Sequence, residues 1–361
     1  MFPSVATSPN FLGYLTVPKG CGGVRNYNGS TCRWRDKLLH CWRAEDGKGK
    51  STLWMGKISA GRRITRARVI VTAPEYDAED PRMWVEDDNL KLMWSRVRDT
   101  RHDSGSWTVV QMISIINPVT FEVLHTAEWK LPPVKLRQVE KNWTPCPDGS
   151  VLYHMEAGLS MRPDGTAVRN AAFDYPWGSF SGSTPAVVWP ERGTWLLFFH
   201  GFMHHAARDK RYYFGAAEIS PRTHEVLRIS RVPLVFASDD DDTIVCPRAA
   251  AYNPCVVFPA GLARCAELDG YNWLVSGGVH DSRDAWWMFG DTDLQLVPRA
   301  EALAVTKLLA DPSCEPLAGH VIVTVKKIPI YEGGYGYVAG ESFQTSAARA
   351  HALREYVTIV R

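Results

Sequence analysis

The sequence lacks both a long apolar run and a block of basic residues. Lys and Arg number 41 against 39 Asp and Glu, so the formal net charge of the 361 residues is +2. A membrane helix needs roughly 20 consecutive apolar residues, and a polyanion-binding surface needs clustered cations. We therefore expect no membrane partner and no nucleic-acid partner.

The sequence also lacks a recognisable signal peptide and a metal-binding motif. Residues 1–19 contain no basic stretch followed by an apolar one, so no signal peptide is visible. None of the eight cysteines forms a CxxC pair, and adjacent His204 and His205 would point to opposite faces of a strand. The sequence therefore predicts a cytoplasmic protein with reduced thiols, no metal site and no cofactor.

Helical periodicity is almost absent from the chain. Short alternating or apolar runs are instead separated by turns rich in Gly, Asp and Pro, a pattern typical of all-β proteins. The one expected helix is short and near the C-terminus, over residues 347–356.

A repeat is visible within this pattern. Five times, a polar or small-residue cluster opens a strand, a turn follows, and a second strand rich in aromatic or aliphatic residues comes next. The openings lie near residues 28, 79, 140, 182 and 253. Five units of roughly 40 to 70 residues predict a five-bladed β-propeller formed by residues 1–361 as one domain.

The second opening, Glu79-Asp80-Pro81-Arg82, carries the strongest chemical pattern. In a propeller the innermost strands begin around one axis, so five polar openings converge at one end of a central channel. Pro81 is expected to restrict Asp80 to an extended conformation and so to aim its carboxylate. Arg82 could hold that carboxylate ionised or bind an anionic substrate group.

Four motifs in order along the chain carry a resemblance to a known family. The sequence resembles the β-mannoside phosphorylases of glycoside hydrolase family 130 and their mannosyltransferase relatives, which are five-bladed propellers. The motifs are Glu79-Asp80-Pro81-Arg82, His200-Gly201, Tyr212-Tyr213-Phe214-Gly215-Ala216 and Gly277-Gly278-Val279-His280-Asp281.

This resemblance implies roles for individual residues. Asp80 takes the place of the general acid, His200 and Tyr212 take the places of phosphate-binding residues, and Arg43 that of a ligand contact. Lys141-Asn142 stands where the phosphorylases have a Lys-Asp pair. The expected substrate-binding residues are Asn28, Arg43, Glu79, Arg82, Lys141, Asn142, Glu156 and Asp281.

One departure leaves the attacking group open. The phosphorylases carry a phosphate-binding Arg where this chain has Glu156, and a carboxylate there would repel phosphate. Phosphate needs a cationic nest, water needs a second carboxylate, and for an attacking sugar hydroxyl Asp80 could act as the base. Candidates for the nest are Lys141, His200, Arg208, Lys210, Arg211 and Tyr212, and for the second carboxylate Glu140, Glu156 and Asp281.

The resulting expectation is an inverting phosphorylase or glycosyltransferase. Its substrate would be an oligosaccharide or glycoside with β-linked mannose or a similar hexose, with inorganic phosphate or a sugar nucleotide as co-substrate. The alternatives are a glycoside hydrolase on the same fold and a non-catalytic sugar-binding propeller. The sequence does not indicate an oligomeric state.

Overall fold

The computed structural model is almost entirely β-structure, as expected. The described residues are 8–59, 63–72, 74–100, 106–129, 141–173, 175–206, 209–237, 256–268, 271–302, 320–325, 330–332, 335–337, 342–346 and 357–360. Within these ranges, residues 299–302 alone are helical. The helix expected over residues 347–356 lies outside the described residues, as do Glu140 of the third opening and residues 253–255 of the fifth.

Four antiparallel sheets of the described chain have four strands each. Sheet 1 contains β2 (Arg25–Trp34), β3 (Lys37–Glu45), β4 (Ser51–Ile58) and β5 (Ile64–Val71). Sheet 2 contains β6 (Asp77–Glu86), β7 (Asn89–Thr100), β8 (Ser106–Ile116) and β9 (Val123–Glu128). Sheet 3 contains β10 (Thr144–Pro145), β11 (Val151–His154), β12 (Leu159–Met161) and β13 (Ala167–Arg169). Sheet 5 contains β20 (Val257–Leu268), β21 (Tyr271–Val279), β22 (Arg283–Phe289) and β1 (Phe11–Tyr14).

Sheet 4 is larger, and the predicted count of five four-stranded blades is therefore not confirmed. It has seven strands, because β14 and β15 both pair with β16, β19 adds to β17, and β23 extends the edge at β18. Its strands are β14 (Ser179–Gly182), β15 (Val187–Trp189), β16 (Thr194–Ala206), β17 (Asp209–Ile219), β18 (Val226–Ser230), β19 (Val235–Phe236) and β23 (Leu296–Pro298).

The sheets form a propeller-like ring. Strand β2 lies between β6 of sheet 2 and β20 of sheet 5, and apolar clusters fill the spaces between neighbouring sheets. Leu39 and Trp94 pack between sheets 1 and 2, whereas Phe198 and Trp287 pack between sheets 4 and 5. The core of the molecule therefore lies between the sheets, and the first strands surround the axis.

The hairpin between β6 and β7 has the Asp-rich turn that the sequence predicts. Asp87 and Asp88 join β6 to β7 with φ of 50° and 61°. Two successive residues at positive φ are typical of the type I′ turns that suit the twist of a β-hairpin, and Asp tolerates this conformation better than most residues.

The chain closes its own ring. Strand β1 pairs antiparallel with β22 and becomes the outer strand of sheet 5, although nearly the whole described chain separates the two strands in sequence. The outer strand of this sheet is thus supplied by the start of the chain.

Five further strands follow the ring. Strands β24 (His320–Val325), β27 (Ser342–Ser346) and β28 (Val357–Val360) form a three-stranded sheet, and β25 (Ile330–Glu332) pairs with β26 (Tyr335–Tyr337). In the part of the chain that is described, no helix is long and apolar enough to cross a membrane.

A histidine network joins sheets 3 and 4. His224 Nε2 lies 3.2 Å from Asp148 Oδ2, and its Nδ1 lies 2.8 Å from Ser160 Oγ. Because a carboxylate only accepts, Nε2 donates to Asp148. Partial burial would raise the pKa of Asp148, but hydrogen bonds from His224 and Ser150 lower it to about 2.

This network predicts an acid-sensitive interface. The pKa of Asp148 is lower in the folded chain than the roughly 3.9 of an unfolded one, so its stabilising contribution is complete above pH 4. It is lost as the pH falls from about 4 towards 2. We expect Asp148→Asn to flatten the decline of unfolding free energy in that window, measured by urea titrations at successive pH values. An unchanged slope would contradict the assignment.

Candidate functional site

One residue at the opening of each of the first three sheets has an unusual backbone conformation. Asn28, Asp80 and Asn142 have φ of 52°, 51° and 65°, where few non-glycine residues lie. Irregular register between Tyr27 and Ser30, and between Glu79 and Arg82, marks a β-bulge at the first two sites. Bulges re-aim side chains, and strained backbone of this kind clusters at functional sites.

The expectation of an extended Asp80 is therefore wrong. Pro81 does disfavour the right-handed helical region for the residue before it, but the bulge places Asp80 at positive φ instead of in extended backbone. The carboxylate of Asp80 is instead contacted by a side chain of sheet 1. Its Oδ1 accepts a hydrogen bond of 3.1 Å from Asn28 Nδ2.

Asp80 is an ionised carboxylate in a buried position. Its exposed fraction is 8%. Burial would raise its pKa, but the positive charges of Lys141, Arg82 and Arg43, with the hydrogen bond from Asn28, outweigh burial and lower it. Asp80 is thus ionised at neutral pH and accepts hydrogen bonds.

Glu79 links two of those cations. Its Oε1 lies 2.8 Å from Arg43 Nη2, and its Oε2 lies 2.9 Å from Lys141 Nζ. Burial disfavours the charge on both cations, but Glu79 and Asp80 more than offset burial, so the pKa values of Arg43 and Lys141 are raised. Both cations therefore stay charged beside Asp80.

Arg43 is held from behind by residues that the sequence did not single out. Its Nε donates to Ser51 Oγ at 2.8 Å, and its guanidinium lies 4.8 Å from the centre of the Tyr27 ring. Glu45, which is fully buried, accepts from Tyr27 Oη at 2.7 Å and also pairs with Arg25. The one available signal was the placement of Arg43 and Glu45 two residues apart, on one face of β3.

Arg82 is fully buried beneath Asp80. Its Nη1 donates to the Asp80 carbonyl at 3.0 Å, and its Nε donates to the Ser183 carbonyl. Burial lowers the pKa of Arg82 to about 10, against the opposing effect of Asp80. Because both acceptors are carbonyls, Arg82 fixes the backbone of the bulge and leaves the Asp80 carboxylate to other groups.

The two expected phosphate-binding residues lie side by side. The rings of His200 and Tyr212 stack at 6.3 Å, and Ser183 Oγ lies 2.5 Å from His200 Nδ1. Burial, then the charge of Arg82, lowers the pKa of His200 to about 3, so this imidazole is neutral. Burial and the charge of Asp281 raise the pKa of Tyr212. His200 and Tyr212 thus offer polar groups without charge.

The remaining expected residues divide into two groups. The first group lies near the residues described above. Asp281, with φ of 48°, acts electrostatically on Arg43 and Tyr212. The Asn142 carbonyl lies beside Gly182. Glu156 instead accepts a hydrogen bond of 2.7 Å from the Phe180 backbone N–H. That bond ties the turn after β11 to β14. The predicted substrate contact of Glu156 stays a prediction.

The site combines proton transfer with charge stabilisation. The described residues around Asp80 include three cations and the carboxylates Glu79 and Asp281. No group of three or more His, Cys, Asp or Glu side chains in the described ranges could hold a metal ion. Two further candidates, Glu140 and Arg208, lie outside those ranges, and the side chains of Lys210 and Arg211 are likewise not described.

Comparison with known proteins identifies the fold. No protein-family model matches the sequence, and no curated protein matches it. A structure from work on GH130 mannoside phosphorylases and hydrolases that target β-1,2 mannosidic linkages in Candida mannan aligns with a TM-score of 0.52 at 13% identity, over 81% of this chain and 94% of its own.

Two proteins from Leishmania mexicana are similar to the same extent. A mannose phosphorylase solved with a phosphate ion gives a TM-score of 0.52 at 14% identity, over 80% of this chain and 92% of that chain. A GDP-Man-dependent mannosyltransferase gives 0.50 at 15% identity, over 77% and 88%. At such identities the likeness establishes a shared propeller-like fold.

Proposed function

We propose that the chain is a carbohydrate-active enzyme that makes or breaks a glycosidic bond with inversion. The observation that carries this proposal is Asp80, an ionised, buried carboxylate held by Asn28 among Lys141, Arg82 and Arg43. Inverting chemistry at a sugar carbon needs one such group to move a proton at the bridging oxygen. The neighbours that act on mannosides or transfer mannose support β-linked mannose or a similar hexose as the substrate.

The charge state of Asp80 favours a phosphorylase or a transferase. In the synthetic direction an acceptor hydroxyl gives its proton to Asp80 while its oxygen forms a bond to the anomeric carbon. The bond from that carbon to a phosphate oxygen breaks on the opposite face, and the phosphate leaves with the electron pair. In reverse, protonated Asp80 donates to the bridging oxygen as phosphate attacks.

A bound anion would also prepare Asp80 for the reverse direction. Lys141, Arg82 and Arg43 lower the pKa of Asp80. A phosphate group near these cations would cancel much of their field, so the pKa of Asp80 would rise and the carboxyl could carry a proton. His200 and Tyr212 would add hydrogen bonds to such an anion without adding charge.

A glycoside hydrolase is the second candidate. Glu79 already pairs with both Arg43 and Lys141 and offsets part of their charge, and Glu156 stands where the resemblance leads us to expect an arginine. Both features weaken a phosphate site. Asp281, which acts electrostatically on Arg43 and Tyr212, could serve as the base for a water nucleophile.

The choice of attacking group decides among these candidates. The protein is incubated with β-mannosides in the presence and in the absence of inorganic phosphate, and with sugar nucleotides plus a mannoside acceptor. We expect a hexose 1-phosphate only with phosphate, or a longer oligosaccharide with a sugar nucleotide. Free hexose released without phosphate would establish the hydrolase. Sugar binding without turnover in any arm would leave a non-catalytic propeller and refute the enzyme.

We further propose that sheet 4 acts as one blade and that the ring has five. Supporting this count, apolar clusters fill the space between each pair of neighbouring sheets, including sheets 5 and 1. Five polar openings around one axis would then surround the sugar. A crystal structure with four or six blades would contradict this count.

A further inference from the structure

A buried cluster of polar side chains joins sheets 1 and 5 beside the bulge at Asn28. It is called here the bracing cluster and consists of Thr31 (β2), His40 (β3), Ser276 (β21) and Asp284 (β22). The exposed fraction is 2% for Asp284 and 0% for the other three. None of the four was among the site residues expected from the sequence.

His40 connects the two sheets within the bracing cluster. Its Nε2 lies 2.7 Å from Asp284 Oδ2, and its Nδ1 lies 2.8 Å from Thr31 Oγ1. Buried polar side chains destabilise a fold unless they find such partners. These three side chains therefore hold one another in place.

The bracing cluster also holds the backbone of the bulge. Asp284 Oδ1 accepts a hydrogen bond of 3.1 Å from the Gly29 N–H, and Ser276 Oγ donates to the Gly29 carbonyl at 2.8 Å. The same Ser276 oxygen accepts from the Thr31 N–H at 2.8 Å. A bulge removes backbone groups from the strand ladder, and buried backbone groups need other partners. Sheet 5 supplies those partners here.

Two glycines permit this close packing. A Cβ atom on Gly29 would overlap Asp284 and His40. A Cβ atom on Gly278, in β21, would overlap the amide oxygen of Asn28. Sheet 5 therefore packs directly against both bulge residues. A shift of Gly29 must also move Asn28, because a planar peptide bond joins the two.

The other side of the bulge faces Asp80. Asn28 Nδ2 donates to Asp80 Oδ1 at 3.1 Å, and Ser30 Oγ accepts from the Met83 N–H at 2.8 Å. Residues 28–30 thus lie between sheet 5, which holds Gly29, and β6, which carries Asp80. Asn28 is buried, so these neighbours set the position of its amide.

We propose that the bracing cluster positions Asn28 for its hydrogen bond to Asp80, with Asp284 as the main positioning residue. Asp284 contacts both His40 and the Gly29 N–H, so its loss frees both groups. The expected effect on turnover rests on the proposed function, whereas the hydrogen bond itself can be measured without any reaction.

The side-chain amide of Asn28 gives a direct NMR readout at neutral pH. With asparagine labelled by 15N, the signal that Asn28→Gly removes belongs to Asn28, and glycine fits its φ of 52°. We expect this amide to exchange with water roughly tenfold faster or more in Asp284→Ala, because it loses a hydrogen bond to a charged group. Asp284→Asn keeps an oxygen for the Gly29 N–H and should exchange near the wild-type rate.

A milder variant keeps the test open if Asp284→Ala does not fold. Ser276→Ala removes the two hydrogen bonds of the Ser276 hydroxyl to Gly29 and Thr31. It leaves the contact between His40 and Asp284 in place. Exchange of the Asn28 amide should again be faster than in the wild type.

Asp148→Ala is the matched control. Asp148 also contacts a histidine across two neighbouring sheets, since it lies 3.2 Å from His224 at the interface of sheets 3 and 4. This variant loosens an interface of the same kind at a different place in the ring. The Asn28 amide should exchange as it does in the wild type.

The pH dependence of turnover separates positioning from a loss of stability. The hydrogen bond from Asn28 helps to lower the pKa of Asp80, so losing it raises that pKa. In Asp284→Ala the synthetic rate should therefore begin to fall at a higher pH on acidification. A smaller folded fraction alone would lower the rate equally at every pH. The charged and titratable groups around Asp80, unchanged in every variant, are Glu79, Lys141, Arg82, Arg43, His200 and Asp281.

A double variant shows whether Asp284 acts through Asn28. If it does, adding Asp284→Ala to Asn28→Gly should not move the acidic fall of the rate any further, since effects that share one path are not additive. A further displacement in the double variant would overturn the proposal.

Unchanged exchange of the Asn28 amide in Ser276→Ala and in folded Asp284→Ala would also overturn it. A wild-type protein without turnover would refute the proposed function, and the exchange rates would still decide the positioning role of Asp284.

Discussion

Asp80→Asn is expected to lower turnover by roughly 10²-fold to 10⁴-fold, the usual contribution of one proton-transfer group. The amide has nearly the shape of the carboxylate and tolerates positive φ, so the bulge at 51° should persist. It cannot accept the proton of an acceptor hydroxyl or return that proton to a bridging oxygen. Initial rates with the best donor and acceptor pair give the measurement, and isothermal titration with a mannoside gives sugar affinity.

A second Asp→Asn change provides the matched control. Asp88 lies in the turn between β6 and β7, also at positive φ (61°), and it is solvent-exposed and paired with Arg35. Asp88→Asn should keep wild-type rates. If Asp80→Asn turns over as fast as the wild type, Asp80 takes no part in the chemistry. If the wild type itself binds sugar but shows no turnover, the protein is a sugar-binding propeller.

Glu45→Gln is expected to cost about 3–5 kcal/mol of unfolding free energy, as breaking a buried ion pair from one side does. Glu45 is fully buried and contacts Arg25, Arg43 and Tyr27. A neutral amide would leave the partly buried guanidinium of Arg25 and the buried guanidinium of Arg43 with less counter-charge. Urea denaturation gives the measurement, through a lower midpoint at unchanged slope.

Glu301→Gln is the control for this change. Glu301 pairs with Arg231 at 3.1 Å, and both side chains are about half exposed. Exposed pairs contribute little, because water and salt screen them. We expect an unfolding midpoint close to that of the wild type. Equal midpoints for Glu45→Gln and Glu301→Gln would mean that Glu45 does not stabilise the network behind Arg43.

Part of the candidate site could be predicted from the sequence. Polar openings of successive units predicted that Asn28 and Asp80 converge, and their side chains do form a hydrogen bond. Arg43 and Arg82 lie on the predicted strands, because strand and turn chemistry are local. Lys141 also lies at its expected opening, where it pairs with Glu79.

The β-bulges account for what the sequence could not predict. Counting back from the turn at Arg35 pairs Arg43 with Asn28, whereas the bulge shifts the register so that Tyr27 is its partner. A shift of one residue reverses the faces of a strand. The contacts of Tyr27 and Glu45 therefore could not be predicted from the sequence. The positive φ of Asp80 could not be predicted either, because Pro81 restricts that residue without requiring a bulge.

The strand number of sheet 4, and with it the blade count, could not be predicted from the sequence repeat for a different reason. Strand β23 extends sheet 4 by pairing with β18, a segment distant in sequence, and β19 pairs with β17 across the intervening β18. Such pairing depends on which strand edges remain open after the rest of the ring has formed. A repeat in the sequence defines the strands of a unit, but it does not define the strands that join later.

The pairing of β1 with β22 sets an order on biosynthesis. A ribosome delivers residues 11–14 first, and their partner strand at residues 283–289 emerges only after most of the chain has been made. Sheets 1 to 3 consist of hairpins between neighbouring strands and can form during translation, since their contacts are local. Residues 11–14 therefore stay unpaired until residues 283–289 have been made, and during that interval a chaperone that covers apolar segments is most useful to the nascent chain.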